Sequence, residues 1–314
     1  MNVVEVTQLR VDYDDVTAVN DVSFHLEKGK IYGFVGPNGA GKTSTIKALA
    51  GILEPKRGTI LLNGFNLETQ REKALAHIGY MPDFSPVYEN LKVWEYLDVF
   101  AAAYGLKAGD RSVSIEKWLQ KVDLTIKRDT LIKGLSRGMR QRLVLAKILE
   151  TDPKILFLDE PASGLDPIAR KQIRDLLKEV STNGVTILIS SHILSELSDF
   201  VDSVIILEKG NLIMAGGIED IRKQTGGAQK LMVRFTKEEE GLPVFEKILS
   251  SEGVSQEQIS QDKSKYIVHL QSDDGTAFRL LNKLITSNVL LEECSVKKED
   301  IEDIFLKVGA KEVS

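Results

Sequence analysis

Cysteine is almost absent: Cys294 stands alone among 314 residues. That excludes an intramolecular disulfide and suits a reducing compartment. As a side chain, Cys294 reads as a small, partly buried hydrophobe. Long apolar runs are missing too, and no stretch approaches the roughly 18 residues that a membrane-spanning helix requires. Met1-Asn2-Val3-Val4-Glu5 lacks a basic segment followed by an apolar one, so no signal peptide is expected. An excess of positive charge is also lacking. The net charge of −5 argues against a broad basic surface for nucleic acid, though not against a local basic groove. These absences point to a cytosolic protein whose membrane association, if any, comes through a partner. With 42% hydrophobic and 28% charged residues, the chain has an ordinary globular composition and the length for two domains.

The most informative stretch that is present is Gly36-Pro37-Asn38-Gly39-Ala40-Gly41-Lys42-Thr43, which fits G-x-x-x-x-G-K-[ST]. An apolar run at 31–35 leads in and a helical pattern at 43–50, starting with Thr43 and Ser44, leads out. A strand, a glycine-rich turn and a helix N-terminus make a phosphate cradle. The glycines allow close backbone approach and positive φ. The first-turn N–H groups carry roughly half a positive charge. In this pattern Lys42 reaches the β- and γ-phosphates of a nucleoside triphosphate and the Thr43 hydroxyl ligates Mg2+.

Before the loop, short apolar alternations around Val4, Leu9 and Val22 predict strands of an antiparallel patch, with turns at Asp14-Asp15 and Lys28-Gly29-Lys30. Tyr13 falls in one of those turns. An aromatic there stacks on a purine or packs on the surface, and the local sequence does not choose. Further strands are predicted at 59–62 and 78–81, the latter ending in the loop Pro82-Asp83-Phe84-Ser85-Pro86. From 91 to about 149 the period is helical: Leu91, Trp94, Leu97 and Ala101 share one face, Ile115, Trp118, Leu119 and Val122 another, and a third helix starts near Ser136. Buried strands at 155–158, 185–189 and 204–207 then alternate with helices over 173–180 and 194–197, which predicts a parallel sheet. A polar, glycine-bearing stretch at 216–230 marks a domain boundary. Beyond it, strands at 231–235 and 266–268 and helices at 244–249, 278–285 and 301–306 predict a small α+β domain. The run Lys237-Glu238-Glu239-Glu240 reads as a solvated turn.

Asp159-Glu160 closes the buried run Ile155-Leu156-Phe157-Leu158, where ligands collect in parallel α/β sheets. Asp159 is placed to hold Mg2+ in the manner of a Walker B aspartate, and Glu160 to polarise the attacking water. His192 ends the next buried strand. Alone, such a histidine is more often structural; beside a phosphate loop, a γ-phosphate contact is the better assignment.

These residues carry a family resemblance. Over about residues 3–215 the chain resembles an ABC-transporter ATP-binding subunit. Leu135-Ser136-Arg137-Gly138-Met139-Arg140-Gln141-Arg142 is similar to the family signature L-S-G-G-Q, Ser163-Gly164-Leu165-Asp166 to its D-loop, and His192 to its switch histidine. Tyr13 matches the adenine-stacking aromatic. The resemblance implies that Ser136 and Gly138 cap ATP held by an opposite subunit, so that two subunits enclose two ATP. Helix-starting Ser136 suits an anion, and Gly138 permits close approach. Three positions depart from the pattern: Asp83 stands where the family has glutamine, Arg137 for glycine and Met139 for glutamine. Asp83 is shorter and acceptor-only, which alters how that position senses Mg2+ and water. The tail resembles the C-terminal extension of drug, antibiotic and polysaccharide exporter subunits, with residues 299–306 similar to its closing segment.

The expected fold is therefore α/β. A P-loop NTPase core over 1–218 has an antiparallel β subdomain and a helical insertion at about 88–150, and a small α+β domain follows over 219–314. The expected function is that of the Mg2+-dependent ATPase subunit of an exporter. It works as a dimer with a second ATP-binding subunit on the cytoplasmic face of the membrane, beside separately encoded permease subunits. The rival is a soluble ABC-type ATPase acting on ribosomes or DNA. Such proteins often carry two cassettes or long coiled-coil inserts, and this chain has neither.

Overall fold

In the computed structural model the described residues are 1–193, 197, 200–218, 220, 229–262, 264–270 and 275–298. They divide into two units, Met1–Gly216 and Gly217–Ser314. The helix expected at 194–197 and the segment at 299–306 lie outside the described residues, apart from Leu197, which is in a turn.

In the first unit, β1 (Asn2–Tyr13) and β2 (Val16–Glu27) form an antiparallel hairpin across the Asp14-Asp15 turn. Tyr13 is therefore the last residue of β1, paired with Val16, and not a turn residue. β3 (Ile31–Val35) leaves this hairpin and is buried along its whole length, as a strand covered on both faces should be. Helix α1 (Lys42–Leu49) follows. β4 (Arg57–Leu62) returns to the hairpin and pairs antiparallel with β1, and β5 (Phe65–Asn66) extends that sheet to the order β2-β1-β4-β5. The short α2 (Arg71–Leu75) leads to β6 (Ile78–Met81).

Three helices follow: α3 (Val93–Ala103), α4 (Ala108–Lys121) and α5 (Arg137–Leu149). Leu97, Ala101, Ile115, Leu119 and Val122 are buried as their spacing predicts, while Trp94 and Trp118 are only half-buried. Val93 and Tyr96 supply the remaining buried face of α3. Tyr96 meets Phe100 edge to face at 4.9 Å, and the Lys147 ammonium lies 4.8 Å from the Phe100 ring centre. The chain then alternates through β7 (Ile155–Leu158), α6 (Pro167–Thr182), β8 (Thr186–Ser191), β9 (Ser203–Glu208) and β10 (Asn211–Gly217). Helix α6 begins well before the expected 173. Asp166 caps it by accepting from the N–H groups of Ile168 and Ala169 at 3.0 and 2.9 Å, and Pro167 sits in its first turn.

The second sheet has the order β10-β9-β3-β8-β7-β6, with β9, β3, β8, β7 and β6 parallel. One core lies where β1, β2 and β4, helix α1 and this sheet meet, around Leu9, Leu26, Phe34, Ile46 and Phe157. The register decides where function can sit. Val35 is level with Ser191, Leu158 with Ile189, and Met81 with Leu158. The segments following β3, β6, β7 and β8 therefore leave the sheet along one edge.

The second unit runs β11 (Gln229–Phe235), α7 (Glu238–Ser251), β12 (Ile259–Asp262), β13 (Lys265–Leu270), α8 (Thr276–Thr286) and β14 (Leu291–Lys298). Its sheet is antiparallel in the order β12-β13-β11-β14, a split βαββαβ arrangement. Phe235, Phe245 and Tyr266 pack with ring centres 5.6–6.0 Å apart at its core. Glu238, Glu239 and Glu240 are the first turn of α7 and not a free turn; three acidic residues there complement the positive end of the helix.

One buried group in the first unit makes a pH dependence. Glu150 closes α5 at its C-terminal end, where the helix already disfavours negative charge, and is 6% exposed. Burial pushes its carboxyl up to about 8; the nearby Ser114 hydroxyl opposes this and Asp98 adds to it. The folded state thus keeps a proton that the unfolded chain releases above about 4.5, and stability drains away between those two values as pH rises. Glu150→Gln should stabilise the protein by on the order of 2 kcal/mol at pH 8.5 and by close to nothing at pH 4.5, read by urea denaturation. An equal gain at both values would assign the effect to packing.

Candidate active site

Gly36 follows β3 and Gly41 precedes α1, and neither position has room for a side chain. A Cβ on Gly36 would run into the backbone of Leu207, and one on Gly41 into that of Ala18. Gly41 also holds φ +99°, the left-handed region that glycine adopts without strain. The loop closes on itself through Ala40 N–H to Pro37 O at 3.1 Å, and is tied to the sheet by Gly210 N–H to Ala40 O at 3.1 Å. No side chain caps α1 and no acidic residue lies in its first turn. Its first N–H groups, from Lys42, Thr43 and Ser44, therefore have no intrahelical acceptor, which is the condition for anion binding.

Lys42 is buried, and its ammonium donates to Gly36 O at 2.7 Å and Pro37 O at 3.1 Å. Burial lowers its pKa, while Glu160 and Asp159 pull in the opposite direction. The positive charge thus sits inside its own loop, facing the two carboxylates at the end of β7.

Those carboxylates have different surroundings. Asp159 is 1% exposed and accepts the Ser190 hydroxyl at 2.7 Å. Ser190 also accepts the Glu160 N–H at 2.9 Å, so one buried hydroxyl at the end of β8 positions both residues. Glu160 holds φ +50°, an uncommon region for a residue with a side chain. Its carboxylate meets His192 Nδ1 at 2.7 Å. With Glu160 ionised, Nδ1 is the donor and Nε2 is the nitrogen left for a ligand.

A cavity of about 550 Å3 joins these parts; Asn38 through Ser44, Asp83, Glu160, Ser163 and His192 line it, with Val16, Thr17 and Ala18 along one wall. Asp159 lies beneath, held by Ser190. Tyr13 is not on the wall, but its ring is 44% exposed one strand pair from Val16, which is. Thr43 and Asp159 offer hard oxygen donors suited to Mg2+, which is commonly held by one or two protein oxygens plus phosphates.

Ser136 and Gly138 are not on this cavity. Ser136 caps α5, its oxygen accepting Met139 N–H at 3.3 Å, and it is exposed. Gly138 is buried, and a Cβ there would come within 2.7 Å of the Ala169 Cβ. Its missing side chain therefore serves the close crossing of α5 on α6. Arg137 packs its guanidinium over Gly164, which holds φ +67°. Sequence reasoning missed Ser190. The signal was a serine following three apolar residues, too plain to be separated from a strand end.

A glycine-rich loop at a helix start, a buried aspartate, an adjoining glutamate and a histidine at one parallel-sheet edge are the arrangement of a P-loop nucleotide-binding cassette. The family model described as ABC transporter matches residues 19–163. Over 307 residues the chain is 32% identical to an uncharacterized ABC transporter ATP-binding protein of Bacillus subtilis, covering 98% of this chain and 96% of that one. It is equally 32% identical, with the same coverage, to the bacitracin transport ATP-binding protein of Enterococcus faecalis. A Nod factor export ATP-binding protein of Burkholderia pseudomallei is 37% identical over 68% of this chain and 70% of its own. Among solved structures, the ATP-binding subunit of an ABC transporter aligns with a TM-score of 0.64 and 32% identity, covering 71% of this chain and 92% of that one. The chain belongs to the ATP-binding subunits of ABC transporters, P-loop ATPases that hydrolyse ATP to power transport. Among the described residues, no helix is long and apolar enough to cross a membrane.

Ser190→Ala should lower ATP turnover at least tenfold, because the Glu160 N–H and an Asp159 oxygen lose their shared partner in a buried setting. Steady-state hydrolysis checks this, with Ser190→Thr recovering much of the rate. Wild-type turnover in the alanine variant would remove Ser190 from the positioning role.

Proposed function

We propose that the chain is the ATP-hydrolysing subunit of an exporter. Two copies, or one copy and a close relative, close head to tail around two ATP on the cytoplasmic face of the membrane and drive separately encoded permease subunits. The observation that carries this reading is the incompleteness of the cavity. The phosphate loop, Glu160 and His192 share it, while Ser136, the exposed cap of α5, does not. A cassette that holds the triphosphate on one side and presents its signature elsewhere needs a second subunit to enclose the nucleotide.

In this reading Gly36, Pro37, Asn38, Gly39, Ala40 and Gly41 shape the cradle, and the N–H groups of Lys42, Thr43 and Ser44 take the phosphates. Lys42 turns from the loop carbonyls to the β- and γ-phosphates, exchanging neutral acceptors for anionic ones. Thr43, Asp159 and Asp83 would hold Mg2+, which would supply neutralisation of the phosphate charge. Glu160 orients a water against the γ-phosphorus. The water oxygen bonds to phosphorus as the bond to the β–γ bridging oxygen breaks, giving ADP and inorganic phosphate. His192, held at Nδ1 by Glu160, presents Nε2 to the γ-phosphate. Tyr13 stacks on the adenine, and Ser136 and Gly138 of the opposite subunit cap the triphosphate. The export assignment is supported by relatives named for bacitracin transport and Nod factor export, the first matching almost the whole chain.

Glu160→Gln should keep ATP binding but reduce turnover by about a hundredfold or more, leaving an ATP-bound dimer visible by size-exclusion chromatography. Unchanged steady-state hydrolysis would take Glu160 out of the water-orienting role. Ser136→Arg should block hydrolysis while each copy still binds ATP by equilibrium titration; full activity would count against a signature acting across the dimer.

A further inference from the structure

Among the described residues, the second unit leaves one long strand edge without a partner. β14 is at the end of its sheet, paired through one edge to β11, and among the described residues no strand pairs with its other edge. From Glu293 to Lys298 the strand keeps a regular register with β11, beyond an irregularity at Glu292, and such a run forms a template for another strand, which native proteins cover or block. β14 reads Leu-Glu-Glu-Cys-Ser-Val-Lys-Lys, acidic in its first half and basic at its end. A strand with that asymmetry is complementary to itself when turned antiparallel.

We infer that two copies of the chain pair through β14 in an antiparallel, two-fold arrangement centred on Ser295, joining two four-stranded sheets into one of eight. The inference builds on the two-copy reading above but requires no nucleotide. A two-fold axis normal to the sheet keeps each face with its like, so the pairing must be centred on a residue. Centring on Ser295 sets Glu293 opposite Lys297 of the second copy, twice by symmetry. Both lie on the face shared by Arg234 and Lys230, with which they pair in β11. On the opposite, core-bearing face the same register sets Cys294 against Val296 of the second copy. Both are partly buried against the aromatic core, so pairing would continue that core across the junction. Centring on Cys294 instead would set Glu293 against Ser295 and lose both ion pairs.

Within its own copy Glu293 is already held, by Lys265 at 2.6 Å and by Arg234 at 3.4 Å, so its position at the edge is set before any partner arrives. These contacts hold its pKa below the ordinary glutamate range, the Lys265 hydrogen bond most of all. Lys297 is exposed and acts on Glu293 of its own copy only through space, as the least of the charges that lower that carboxyl. One side of each cross-subunit pair is thus preset, and the other is available to meet it.

The full chain carrying Cys294→Ser and Ser295→Cys tests this without nucleotide. At the two-fold axis the two Ser295 Cα atoms would lie about 4.5–5.5 Å apart, within disulfide reach. Mild oxidation should therefore convert most of the protein to a covalent dimer. Cys294→Ser with Ser250→Cys, an exposed position on α7, should give little. Adding Lys297→Glu to the first variant should slow cross-linking about tenfold with no change in melting temperature, since like charges then face each other twice. Cross-linking through position 295 no faster than through 250, or indifferent to Lys297→Glu, would overturn the inference. Because no ATP is present, either result leaves the nucleotide-driven closure to be judged separately.

Discussion

A row of unsatisfied backbone N–H groups at the start of α1, together with one buried ammonium, sets the terms for the rest of the first unit. Such groups bind an anion only if no side chain stands between them and it, so the loop needs glycine where the Leu207 and Ala18 backbones press in. They are useful for chemistry only if the loop is held still. β3 provides this, since it is buried throughout and is gripped on both sides by β8 and β9. The same register brings the ends of β6, β7 and β8 level with it. Lys42, Asp159, Glu160 and His192 then converge because the strands carrying them are in step, with no long-range contact beyond the sheet needed to gather them.

Around that cradle, charge and strain are balanced by a few contacts. Lys42 loses some hold on its proton through burial and regains some from the carboxylates facing it. Glu160 sits in an unfavourable backbone region, and its N–H and carboxylate are both occupied, by Ser190 and His192. A strained residue persists where its neighbours over-determine it, and such residues cluster at functional sites.

Much of this was legible in the sequence, for identifiable reasons. The loop at 36–43 and the run ending in Asp159-Glu160 are local patterns whose meaning depends on flanking strands and helices that are themselves local. Buried strands such as β3 and β7 read correctly because their continuous apolar character leaves no other solution. Tyr13 was misplaced by one position, since a two-residue hairpin turn is tighter than the acidic pair beside it suggests. α6 starts earlier than expected because its cap, Asp166, is also the last residue of the D-loop resemblance, and one aspartate can end a loop and cap a helix at once. Gly138 shows the other limit. Its absent side chain is demanded by Ala169, thirty-one positions away, and no local pattern reports such a contact. Ser190 was invisible for the same reason, because its role is defined by two groups on another strand. In the second unit the alternation of strands and helices was readable. Its sheet order was not, because the short β12 carries almost no apolar signal.

The central claim is that the phosphate loop of one copy and the signature of another enclose the same ATP. Disulfide formation between two differently tagged chains measures this directly. One chain carries N38C in the phosphate loop and the other R137C in the signature, both with Cys294→Ser, and with Glu160→Gln to retain ATP. The account predicts a mixed covalent dimer whose yield rises several-fold when ATP is added. A yield indifferent to ATP, or no mixed dimer at all, would contradict it.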